Sequence, residues 1–220
     1  MKVAFLLPTF RWDASEALEA AVLAEVSGID GVFAYDHLWP MGSPERPALA
    51  PFPVLARVAA RHESLVVGPL VARVGLCAPE LLVAEFEALA QVAPGRVVAA
   101  LGTGDKLSAA ENEGYGIVVH SVAERQRQLE LVANALVPQM PVWIGAGAPK
   151  TNEIAARTGA ELNYWQKVST EPTGQWNWAG TARDDLEAQL DELAEAGSTW
   201  AVFSPTVDIA RLGAWARTRR

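Results

Sequence analysis

The chain carries one cysteine, Cys77, in 220 residues. That excludes an internal disulfide and any cysteine-rich metal centre, and Cys77 reads as a small apolar filler near a strand end. Positive charge is also scarce: 18 Lys and Arg face 26 Asp and Glu, a formal net charge of −8. A sequence-independent nucleic-acid binder needs a basic face, so that class is excluded. No apolar run reaches the ~18 to 20 residues of a membrane span. The opening "MKVAFLLPTF" is too short for a secretory core and is interrupted by Pro8, with Arg11 just beyond. A cytoplasmic protein is expected. Low-complexity tracts, internal repeats and linkers are missing as well, so residues 1–220 are expected to form one domain.

What is present is apolar sequence in quantity, half of the chain, enough for a substantial core. Strand-like and helix-like segments alternate along it. The strand candidates are 2–8, 31–36, 65–75 (interrupted by Gly68-Pro69), 96–104, 141–147, 160–165, 175–180 and 199–205. Helical patterns cover 13–28, 51–63, 79–95, 121–136, 149–159, 181–197 and 207–217. In the first helix Leu18, Val22, Leu23 and Val26 fall at helical spacing, with Asp13 and Glu16 resembling a capping box. Ser121 and Glu124 form a second such box, and Thr181 is placed to cap the helix at 181–197. The third helix carries an apolar stripe at Leu82, Phe86 and Leu89. Continuous apolar strands alternating with helices imply a parallel sheet with right-handed crossovers. Eight strands suggest an α/β fold of the (β/α)8-barrel type, trimmed and lacking a helix between its sixth and seventh strands. An open doubly wound sheet is the alternative.

In a parallel barrel, catalytic groups gather where strands end and helices begin. Here strand two ends in Asp36 and His37, within "GVFAYDHLWP". Histidine titrates near neutrality and can donate or accept a proton, while Asp36 can orient its ring or hold the turn. His62 and His120 read as solvated. Two glycine turns follow strands four and five: Gly102-Thr103-Gly104-Asp105 and Gly145-Ala146-Gly147-Ala148-Pro149-Lys150. Neither is a Walker loop or a full dinucleotide fingerprint. Both set backbone amides at strand-to-helix turns, where phosphate is commonly held.

Three stretches then carry a resemblance in one chain order. They are "GVFAYDHLWP", the block "VGPLVARVGLCAPELLVAEFEALAQVAPGRVVAALGTGDKLSAAENEGYGI", and "PVWIGAGAPKTNEIAARTGAELNYW". Together they resemble the bacterial luciferase-like family of flavin and deazaflavin oxidoreductases, and "DHLWP" and "GTGDKLS" are most similar to its deazaflavin branch. The resemblance implies a TIM barrel using coenzyme F420, with FMN as the alternative cofactor. It implies hydride exchange between an organic small-molecule substrate and the coenzyme ring, with His37 handling a proton beside Asp36. Asp105 would stand where some dehydrogenases of that branch place a glutamate acid. Leu70 and Val71 would form a bulge with a non-proline cis bond supporting the ring. Gly102, Thr103, Gly104, Gly145, Ala146, Gly147 and Lys150 would bind the coenzyme's phosphate and side chain, and Trp39 and Trp165 would wall the substrate pocket. No metal is implied, and a homodimer is. Two departures stand out: only one helix separates the "GYG" block from "PVWIG", and residues 166–174 replace a helix. An FMN-dependent monooxygenase, a non-catalytic flavin- or deazaflavin-binding protein and a phosphate-binding TIM barrel of unrelated chemistry are the rival readings.

Overall fold

A computed structural model of the chain describes residues 1–104, 106–169 and 174–219. The first half runs β1 (Lys2–Leu6), α1 (Ser15–Ser27), β2 (Gly31–Ala34), α2 (Pro51–Ala59), β3 (Val66–Pro69), β4 (Ala72–Arg73), α3 (Pro79–Val92), β5 (Ala99–Gly102) and α4 (Lys106–Gly114). The second half runs α5 (Val122–Leu136), β6 (Val142–Gly145), α6 (Pro149–Thr158), β7 (Glu161–Trp165), β8 (Trp176–Gly180), α7 (Leu186–Glu195), β9 (Trp200–Phe203) and α8 (Ile209–Thr218). All strand pairs are parallel. Their order, β3-β2-β1-β9-β8-β7-β6-β5-β4, returns to its starting point. β3 and β4 are the two halves of one interrupted strand, and a parallel bridge from Val67 to Val97 draws the ring together. The approach there is close: a Cβ on Gly68 would sit 2.3 Å from the Val98 carbonyl oxygen. Only glycine lets the barrel close at that point.

The architecture is therefore the α/β barrel expected from the alternation, with eight staves, one of them broken. Between β7 and β8 the described residues contain no helix. The larger apolar layer lies between the staves and the helices, with Phe5, Leu55, Phe86, Leu129, Leu136 and Phe203 fully buried. A second cluster fills the barrel, where Phe33, Trp143 and Trp200 stack edge and face. Each large side chain so buried contributes about 1.5–3 kcal/mol. One interior layer is polar: Asn163 donates to Asn177, and Glu161 accepts from Asn177 and Thr199.

Several local expectations are corrected. α1 turns its alanines inward, Ala17, Ala21 and Ala24, and leaves Val22, Leu23 and Val26 exposed. Small side chains let the helix lie close on its neighbours, so the larger apolar residues face away. No side chain caps α1, because Asp13 instead accepts from the Ser15 amide. Ser121 does cap α5, whereas Asp185 rather than Thr181 caps α7. α4 was not expected at all: its "KLSAAENEG" has little apolar periodicity to read. His62 is buried rather than solvated, with Nδ1 2.7 Å from Glu25. His120 is half-buried and lines a cavity. Cys77 packs half-buried against the core.

Candidate functional site

The strand ends at the C-terminal mouth position the polar residues. β2 is buried over its whole length, so its polar continuation begins where the stave leaves the core. There the Asp36 carboxylate accepts from the Arg73 amide at 2.8 Å, and the Arg73 Nε donates back to the Asp36 carbonyl at 2.9 Å. This pair of hydrogen bonds ties the end of β2 to β4. Burial pushes the Asp36 carboxyl up to about 7, against the Arg73 amide and charge, which favour ionisation.

His37 is held by a residue that sequence reasoning did not single out. Its Nδ1 lies 2.7 Å from Oε1 of Glu111, on α4. Oε2 of Glu111 accepts from the Leu38 amide at 2.8 Å and from Nη2 of Arg73 at 2.9 Å. Glu111 is only 1% exposed. A carboxylate already facing a guanidinium and an amide accepts from the imidazole as well, so Nδ1 carries the hydrogen, and in the neutral ring Nε2 is the nitrogen with the lone pair. The ring is not sealed in: 22% of the His37 side chain is exposed. Phe10 and Tyr35 stack on one another 5.2 Å apart and both tilt against the imidazole, which fixes its other side. The signal for Glu111 was present in "AENEGYG", but nothing in the spacing showed which of its acids would reach His37.

The peptide bond between Leu70 and Val71 is cis, at the break between β3 and β4. Val71 then packs on Gly102: a Cβ at Gly102 would sit 2.4 Å from Val71 Cγ2. Thr103 and Gly104 continue from Gly102, and their carbonyls accept from Nη1 of Arg125, at 2.9 Å for Gly104. Asp105 lies outside the described residues. The second glycine turn is adjacent, since Leu101 pairs with Ile144 in the β5–β6 register. Gly145 and Gly147 border open space. The Ala146 amide already donates to the Asn163 carbonyl, and the Gly147 amide to Asn152. Lys150 is exposed and paired with Glu153.

The two tryptophans stand apart. Trp39 lies against α4, its ring where a Gly114 side chain would be and 5.7 Å from Tyr115. Trp165 is half exposed at the end of β7, four staves from β2 in either direction round the ring. Thus the structure brings His37, Asp36, Glu111 and Arg73 into one hydrogen-bonded network, with Leu70, Val71 and Gly102 beside it. Lys150 takes no part in that network. No group of three or more His, Cys, Asp or Glu that could hold a metal occurs among the described residues.

This arrangement can be compared with known proteins. Residues 1–136 match the family described as luciferase-like monooxygenase. The chain belongs to that family. An F420-dependent glucose-6-phosphate dehydrogenase of Microbacterium testaceum is 27% identical over 80% of this luciferase-like chain and 63% of the relative. A protein of the same description from Beutenbergia cavernae is 35% identical over 66% of the chain and 50% of its own length. The luciferase-like chain therefore spans about half to two thirds of these curated relatives. Among solved structures, an F420-dependent secondary alcohol dehydrogenase in complex with an F420-acetone adduct superposes with a TM-score of 0.73. That match has 14% identity and covers 100% of this chain and 99% of the other, a likeness of fold.

Proposed function

We propose that this luciferase-like chain is an oxidoreductase that uses coenzyme F420 to exchange a hydride with a small organic substrate. One observation carries the reading: His37, at the mouth, is fixed through Nδ1 by the buried Glu111 and keeps Nε2 for a proton. The named activities of the curated relatives agree with it.

The residues present fit the coenzyme. Gly145 and Gly147 border open space beside the first glycine turn, and the Leu70–Val71 break lies next to His37's network. When bound, F420 supplies the hydride chemistry. Leu70 and Val71 would back its ring, and Gly102, Thr103, Gly104, Gly145, Ala146, Gly147 and Lys150 would line its phosphate and side chain. His37 Nε2 accepts the proton released when an alcohol carbon is oxidised, or returns it in reduction. Glu111 holds the ring in the tautomer this requires and stabilises the imidazolium that forms. Arg73 and the Leu38 amide keep Glu111 aimed. Asp36 locks Arg73, Asp105 would serve as a further acid, and Trp39 and Trp165 would wall opposite sides of the substrate pocket.

The same reading makes the protein a one-domain cytoplasmic homodimer. The exposed Val22, Leu23 and Val26 on α1 supply an apolar face for the second copy.

The test is a binding titration of the purified protein with F420 and with FMN, followed by ring fluorescence. Micromolar or tighter binding of F420 alone is expected. Tight binding of FMN alone would move the protein to flavin monooxygenase chemistry, and binding of neither would overturn the reading.

A further inference from the structure

Against α4 lies a cavity of about 190 Å³ whose described lining does not include His37. It is lined by α4, the start of α5 and the loop after β4, and it meets the expected coenzyme cradle at Thr103 and Gly104. Its walls are unusual in their polar chemistry. Arg73 is 5% exposed and Arg125 is partly buried, and both line the space together with Gly75, Asn112 and His120. Nη1 of Arg73 and Nε of Arg125 are buried and have no hydrogen-bond partner among the described residues, and neither has Oδ1 of Asn112.

A buried guanidinium hydrogen without an acceptor is costly and calls for an explanation. The Arg73 guanidinium pairs with Glu111, which His37 also uses, and the Asp36 carboxyl stands beside it. Arg125 meets carbonyls, and no carboxylate lies within ion-pair distance of it among the described residues. Among the described residues, the two guanidiniums that line the cavity meet one ion-pairing carboxylate, Glu111, and that one is shared with His37. Gly75 keeps the space open: a Cβ there would lie 3.4 Å from the His120 ring and 3.5 Å from Gln128 Oε1.

We propose that this cavity binds a phosphoryl oxyanion, at a place separate from the glycine cradle. Two guanidinium donors and an imidazole reach the space from three different elements, which suits a tetrahedral group better than a planar carboxylate taken by one arginine fork. Asn112 Oδ1 accepts from a protonated oxygen of that group. The volume exceeds one such anion and leaves room for bridging water, at about 30 Å³ per molecule. The phosphoryl group comes either from free phosphate or from a larger phosphorylated molecule. The inference does not depend on F420.

The experiment is calorimetric titration of the full chain with sodium phosphate at constant ionic strength, with chloride as the control. Glucose 6-phosphate and glucose are titrated in parallel. Saturable one-to-one binding of phosphate is expected, with chloride and glucose silent. Asn112→Asp, which adds a negative charge to the cavity, is expected to weaken it about tenfold or more, and His120→Ala several-fold, the latter with unchanged thermal unfolding in chloride. Tighter binding of glucose 6-phosphate than of phosphate assigns the group to a larger molecule, and equal or weaker binding assigns it to the free anion. Phosphate affinity is then measured again with F420 saturating. Retained affinity supports a separate site, while competitive loss would make the cavity part of the coenzyme's own site and overturn the separation. Non-saturable stabilisation, or binding indifferent to Asn112→Asp, would mean that only water fills the space. Failure of F420 to bind, with phosphate still binding, would remove the coenzyme reading and leave this one standing.

Discussion

Nδ1 of His37 and Oε1 of Glu111 lie 2.7 Å apart across 74 positions of sequence. One residue ends a barrel stave and the other sits on a helix laid over the mouth. The pairing gives the imidazole one orientation and one tautomer, and leaves its other nitrogen for chemistry. Four expected outcomes follow from this arrangement and the packing around it.

Replacing His37 with Ala removes the proton-handling group and leaves the backing of the ring intact. Turnover is expected to fall about 10²- to 10⁴-fold, with F420 affinity changed only a few-fold. Steady-state kinetics with a fluorescence titration checks both numbers. Unchanged turnover would remove His37 from the mechanism.

Glu111→Gln acts through His37 and is expected to lower kcat about tenfold or more with little change in KM. The amide can still accept from the Leu38 amide, so α4 is expected to stay docked. Glu111→Asp, too short to reach all three partners but still charged, should recover only part of the loss. If both variants changed KM alone, Glu111 would be a packing residue and no more.

Gly102→Ala drives a methyl into Val71, whose Cγ2 lies 2.4 Å from the new Cβ. Overpacking of this kind costs about 1–3 kcal/mol. Val71→Ala removes the clashing methyl, so the double variant is expected to be more stable than the sum of the single effects predicts. Denaturant unfolding of the four proteins measures that coupling; strict additivity would contradict the contact.

Asp36 sets a pH dependence. Burial holds its proton up to about 7 in the folded chain, while an unfolded aspartate releases it near ~3.9. Between those values the unfolded chain binds fewer protons, so stability falls as pH rises and levels off above about 7. In Asp36→Asn that fall is removed, and the side-chain oxygen still accepts from the Arg73 amide. The variant is expected to match or exceed the parent at pH 8 and to lose ground to it at pH 5. Equal pH dependence in both proteins would show that Asp36 titrates normally.

How much of this was legible beforehand differs element by element. The apolar runs of β1, β2 and β9 read directly as buried staves, because a strand covered on both faces has no polar side to hide. Leu82, Phe86 and Leu89 on α3 read correctly for a similar reason: their spacing forms one stripe. α1 misled, since its alanines gave no contrast against valines and leucines that face solvent. α4 was missed because a helix lying over a mouth needs few apolar residues. With it went Glu111.

By itself the sequence determined the alternation of staves and helices, the acid and imidazole at the end of β2, and the glycine turns after β5 and β6. Those features depend on local periodicity and backbone freedom, which a chain states residue by residue. Tertiary structure alone decided that Glu111 meets His37, that Arg73 serves both Asp36 and Glu111, and that Arg73 and Arg125 turn unpaired donors into one cavity. Those are contacts between distant segments, and they exist only once the barrel has closed and brought its strand ends to a common face.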